Sequence, residues 1–142
     1  MNNQIFFFNE EINFVPRKKK LIRLWLLNAI KHEGKHAGDL NFIFCNDDYL
    51  YKLNNKYLKH RTLTDIITFP HEDNVDRISG DIFISIERVR ENAKKFHQLT
   101  ETELKRVMIH GVLHLIGFKD STPDEKLLMR KKEDFYLSID IR

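Results

Sequence analysis

One cysteine, Cys45, stands in a chain of 142 residues. Without a partner it excludes an intrachain disulfide framework and a thiolate metal cluster. It ends the apolar run Leu40 to Cys45 and reads as a small buried hydrophobe. Three prolines and five glycines are too few for a collagenous or low-complexity tract, and neither an internal repeat nor a linker interrupts the chain. No apolar run approaches the roughly 20 residues that cross a bilayer. The opening Met-Asn-Asn-Gln-Ile-Phe-Phe-Phe also lacks a basic segment ahead of an apolar one. A cytoplasmic protein with no membrane partner is therefore expected, with one domain over residues 1–142 because this length supports one core and is short for two. Charge is nearly balanced: 24 Lys and Arg face 21 Asp and Glu, giving +3 and a pI near 8.9. That balance permits an anionic partner without demanding one. Positive residues gather in Arg17-Lys18-Lys19-Lys20, Lys59-His60-Arg61, Lys94-Lys95 and Arg130-Lys131-Lys132, as phosphate contacts or as solvated helix faces.

Aromatic and branched residues predict strands at 4–8, Leu40 to Cys45, Asp65 to Phe69 and Gly80 to Ile86, with the last two antiparallel. Apolar spacing near 3.6 predicts a helix from Arg17 to Lys35 stopped by Gly38-Asp39. A second helix is capped at Asn46-Asp47-Asp48 and runs to Tyr57, and a third spans Ile86 to Phe96. A fourth begins at Thr100, with Glu103 completing a capping-box pattern, and closes at Gly117. Its apolar residues surround most of the helix, which predicts a central, buried element. The last starts after Thr122-Pro123 and runs to Ser138.

The chemistry is written on the fourth helix. His110 and His114 are four residues apart, so both imidazoles leave the same face one turn apart, a spacing that suits two ligands of one ion. Gly117 can turn the chain, and Asp120, three residues on, can return as the third ligand, with Asp124 a weaker substitute. His-x-x-x-His-x-x-Gly-x-x-Asp reproduces a metzincin-like zinc-binding frame with an acid in place of its third histidine. Taken singly, each histidine could be a core residue satisfied by local hydrogen bonds, and Asp120 a solvated loop acid. Two imidazoles inside one apolar helix would be costly to desolvate unless a metal or a hydrogen-bond network satisfies both.

A zinc protease of this frame needs glutamate directly after the first histidine, and Gly111 stands there. Peptide hydrolysis is disfavoured. His32-Glu33-Gly34-Lys35-His36 matches His-Glu-x-x-His literally, but Gly34 weakens a helix and no third ligand follows, so it reads as accidental. No general base is visible. Thr64, Asp65 and Ser85 read as strand-start and turn residues.

His110-Gly-Val-Leu-His114-Leu-Ile-Gly117-Phe-Lys-Asp120 resembles the hallmark of the YbeY endoribonucleases, the bacterial rRNA maturation factors. Leu53-Asn54, Tyr57, Thr64 to Pro70, Gly80-Asp81-Ile82 and Asn92-Ala93 look like the other blocks of that family in the same order. The resemblance implies an α+β fold, a mixed sheet of about four strands packed with about five helices. It implies one bound zinc ion per chain held by His110, His114 and Asp120. It also implies a metal-dependent hydrolase of RNA phosphodiesters: a single-strand-specific endoribonuclease of 16S rRNA 3′-end maturation and ribosome quality control. Its partners would be single-stranded RNA and the small ribosomal subunit with its factors, not DNA. The alternative is a non-catalytic ribosome-assembly or RNA-binding factor with a structural zinc. The sequence departs from the family at two positions. Asp120 replaces a usual histidine, which would lower the charge of a zinc site from about +2 to about +1 and leave bound water less acidic. Leu58 replaces a usual arginine, a role for which His60 or Arg61 is the expected substitute. His110, His114 and Arg61 are thus the expected catalytic residues.

Overall fold

Short runs of aromatic and branched residues form the sheet, and helices with apolar stripes cover it. The computed structural model describes residues 4–58, 64–72 and 75–139. Its elements are β1 (Ile5–Asn9), α1 (Lys19–His32), β2 (His36–Cys45) and α2 (Asp47–Leu53), which continues as a π-helical turn (Asn54–Leu58). There follow β3 (Ile66–Pro70), β4 (Arg77–Ser85), α3 (Ile86–Lys95), α4 (Thr100–Ile116) and α5 (Pro123–Ser138). The strand order is β1-β2-β4-β3; β1–β2 and β2–β4 are parallel, and β3–β4 is antiparallel. This is the expected α+β architecture, with four strands and five α-helices among the described residues.

Residues alternate across the sheet because successive side chains of a strand point to opposite faces. Leu40, Phe42 and Phe44 of β2 and Ile82 and Ile84 of β4 join the main core, with Trp25, Leu26 and Ile30 of α1. The centre of that core is α4, whose Val107, Met108, Ile109, Val112 and Leu113 are buried. A smaller cluster on Cys45, Leu50 and Ile67 forms where α2 packs. Burial, with the negative charges of Asp47 and Glu10 nearby, pushes the Cys45 thiol up to about 12, so it is the inert hydrophobe the sequence suggested.

Several boundaries differ from the sequence expectation, for local reasons. Gly34, not Gly38, ends α1: it takes φ 79°, and the Gly34 and Lys35 N–H groups bond to the last carbonyls of the helix at Lys31 and Ile30. Gly38-Asp39 lies inside β2 instead, at a shift in register between Ala37 and Leu40. The capping box expected at Thr100 is absent, since Leu99 precedes the first turn and offers no side-chain bond. Glu103 is buried instead. The capping box occurs at α5, where Thr122 and Glu125 bond reciprocally ahead of Pro123. Asn46 caps α2 through the Tyr49 N–H, as expected. Ser85 caps α3, accepting from the Arg88 N–H while donating to Asp47.

Two glycines set how closely α4 meets the sheet. A Cβ on Gly111 would lie 2.9 Å from Ile66 Cδ1 and 3.0 Å from Ile82 Cγ2. On Gly80 it would lie 2.8 Å from the Phe69 carbonyl oxygen and 3.0 Å from Leu115 Cδ2. Backbone cannot yield as a side-chain tip can, so Gly80→Ala should cost about 1–3 kcal/mol. The measurement is a urea titration, in which the midpoint should fall with the slope unchanged. An unaltered midpoint would refute this close approach.

Candidate metal centre

Burial of one side of α4 on the sheet leaves its other side to carry His110 and His114 outward. Their ring centroids are 4.6 Å apart, inclined at 75°. Gly117 ends the helix at φ 126°, with its N–H bonded to the Leu113 and His114 carbonyls, and the chain turns back. Asp120 thereby returns to the histidines: its Oδ2 lies 3.3 Å from His110 Nε2 and 3.4 Å from His114 Nε2. A tetrahedron with arms of about 2.0–2.1 Å, the length of zinc–nitrogen bonds, has edges of roughly 3.3–3.4 Å. Two imidazole nitrogens and a carboxylate oxygen so spaced fit a divalent metal. Among the described residues this is the one group of three or more such side chains that could hold an ion. The side chains remain 21–38% exposed, so the centre opens to solvent.

The other nitrogen of His110 is also committed. Its Nδ1 lies 2.6 Å from Glu133 Oε2, and a carboxylate only accepts, so Nδ1 carries a proton, and Nε2 is the ring nitrogen on the side of Asp120. Glu133 is buried in α5 and takes a second bond, at 2.9 Å, from Arg106, which reaches Asp134 at 2.7 Å with its other nitrogen. Burial by itself would lower the His110 pKa; the Glu133 hydrogen bond and charge outweigh it, with Asp120 and Asp65 adding, so the ring is raised above its ordinary value. Sequence reasoning missed Glu133. Nothing in its helix marks it except a glutamate on an apolar stripe, four residues after Met129 and three before Tyr136, all of them buried.

The centre sits in a cleft of about 480 Å³ lined by Asn54 and Leu58 of the π-helical turn, Thr64 to Thr68, His110, His114 and Asp120. Asp65 is the carboxylate in this cleft outside the three-residue group. Burial raises its pKa above the ordinary carboxylate value, with His110 opposing the shift and the Glu133 charge adding to it. Its place is thus in the cleft, beyond the turn role that the sequence suggested. Leu58, the second of the two departures noted in the sequence, lines the same cleft as the three-residue group. His60 and Arg61 lie outside the described residues. Asp124 lies in the first turn of α5 and is not part of the group.

Gly111 now has a physical reason. The residue after His110 points at Ile66 and Ile82, and a glutamate there would have to enter the core. The second His-Glu-x-x-His is likewise explained: His32 ends α1 and His36 begins β2, so the helical register of a zinc site is broken between them. Glu33 accepts from Lys132 at 2.9 Å and from the Tyr136 hydroxyl, and His32 Nδ1 lies 3.0 Å from that hydroxyl. The segment joins α1 to α5.

Known proteins resemble this chain along nearly its whole length. The profile described as Endoribonuclease YbeY matches residues 4–139. A Flavobacterium psychrophilum protein named Endoribonuclease YbeY is 52% identical over 132 residues, covering 93% of this chain and 94% of its own. Its namesake in Christiangramia forsetii is 50% identical over 133 residues, covering 92% and 90%. The solution structure of a Thermotoga maritima protein superposes with a TM-score of 0.65 at 30% identity, covering 94% of this chain and 87% of that one. With a match along nearly its whole length and a shared fold, the chain belongs to the YbeY family.

Proposed function

We propose that this protein is a metal-dependent endoribonuclease cutting single-stranded RNA, with rRNA maturation on the small ribosomal subunit as its setting. The observation that carries the proposal is the convergence of His110, His114 and Asp120 on one point in an open cleft. His110 and His114 through Nε2, and Asp120 through Oδ2, would hold zinc. The ion would supply Lewis acidity toward a phosphodiester in the cleft.

The remaining work falls to the chain. Glu133 and Arg106 hold the His110 ring in one tautomer and orientation. Asp65 is our candidate for accepting the proton of the attacking hydroxyl or water, since a carboxylate with a raised pKa is a better base near neutrality. Arg61, three residues beyond the cleft-lining Leu58, is the cation we assign to the scissile phosphate.

Three outcomes check this reading. His114→Ala should abolish cleavage of single-stranded RNA and zinc retention while leaving the circular dichroism spectrum unchanged. A zinc-loaded wild type, free of contaminating nuclease, that binds ribosomal subunits yet never cuts RNA would instead favour a structural zinc. Glu133→Gln should weaken zinc binding about 10–100-fold in a chelator competition, the usual cost of losing an outer partner of a metal-bound histidine. Unchanged zinc affinity would sink the assigned role of Glu133. Arg61→Ala should lower kcat/KM about 10-fold or more with zinc content intact, and unaltered binding and cleavage would remove Arg61 from the site.

A further inference from the structure

We propose that Tyr57, which directly precedes the cleft-lining Leu58, is a stacking subsite for a nucleobase of the single-stranded RNA; the inference rests on the function proposed above. Tyr57 lies in the π-helical turn between Asn54 and Leu58, both of which line the cleft. Its side chain is 57% exposed, unlike the fully buried Tyr136. A lone exposed aromatic needs no explanation. This one is anchored: its ring meets Phe69 at 5.9 Å and 79°, Phe69 meets Phe83 at 5.8 Å and 89°, and Phe83 stacks on Tyr49 at 6.2 Å. Tyr57 is the outer end of an aromatic row rooted in β3 and β4, on the face of the sheet where α2 packs.

Such anchoring means that a base stacking on the ring orders little that is not already ordered. The Lys56 ammonium lies 5.1 Å from the ring centroid, a positive charge suited to the phosphate that links one base to the next. A duplex keeps its bases stacked on one another and offers no free face, whereas a single strand does. Stacking tolerates any base, so the subsite selects strandedness and not sequence.

The test compares zinc-loaded wild type, Tyr57→Ala and Tyr57→Phe on an unstructured RNA oligonucleotide and on its duplex. Tyr57→Ala should lower kcat/KM on the single strand about 10-fold or more, mainly through KM, with zinc affinity and Tm unchanged. Tyr57→Phe should remain close to wild type, because stacking uses the ring and not the hydroxyl. Oligonucleotides carrying 2-aminopurine at successive positions should show one position quenched by wild type and Tyr57→Phe but not by Tyr57→Ala. Wild-type kinetics in Tyr57→Ala, or equal loss in both variants, would overturn the subsite while the RNA function stood. A wild type that neither cuts nor binds RNA would overturn the function, and this subsite with it.

Discussion

The close approach of α4 to the sheet at Gly111 is the constraint on which the centre depends. Without a side chain there, the helix axis settles against Ile66 and Ile82, and the flanking apolar residues bury around it. Close-packed interiors deform little, so a helix seated in this way holds its outward residues in fixed directions. His110 flanks the glycine and His114 lies one turn on, which makes their separation a property of the core. The same contact explains why the chain carries a peptidase-like frame without peptidase chemistry: the position where a glutamate would act is occupied by the packing interface.

A rigid helix is insufficient, because an imidazole can still rotate and change tautomer. The buried Glu133, held by the half-buried Arg106, removes that freedom for His110. A carboxylate buried beside a histidine would be costly alone, but Arg106 offsets its charge and is itself shared with Asp134 at the surface. The arrangement therefore runs from solvent through Asp134, Arg106 and Glu133 to the His110 ring. Helix α5 thus supports the His110 ring from outside the three-residue group, and its attachment to α1 through Glu33, Lys132 and Tyr136 extends that support across the molecule.

Much of this was legible in the sequence, and what was not has a common cause. The two histidines, the turn at Gly117 and Asp120 are separated by fixed helical and turn geometry, which spacing alone encodes. The sheet residues, the Asn46 cap and the burial of Cys45 follow from local composition in the same way. Glu133 reaches His110 across 23 positions of sequence and Glu33 reaches Tyr136 across 103, and no local pattern records such contacts. The misplaced end of α1 arose because two glycines, Gly34 and Gly38, both offered a stop, and only the backbone hydrogen bonds of the formed helix select the first. Glu103 shows the converse error, a capping pattern whose acid was wanted in the interior.

Asp120 brings these strands together, since a candidate ligand outside a helix must be positioned by something else. It lies six positions after His114, and the end of one helix and the start of the next fix that span. Gly117 reverses the chain at one end, with the Phe118 N–H returning to the Leu113 carbonyl. At the other, Glu125 accepts from the N–H groups of both Ser121 and Thr122 at 3.0 Å, while the Thr122 hydroxyl oxygen accepts from Glu125. The residue directly before Ser121 is thereby tethered by bonds that involve none of the ligands. A carboxylate is shorter than an imidazole, so it meets the two histidines only where the backbone brings it close, as this turn does at 3.3 and 3.4 Å.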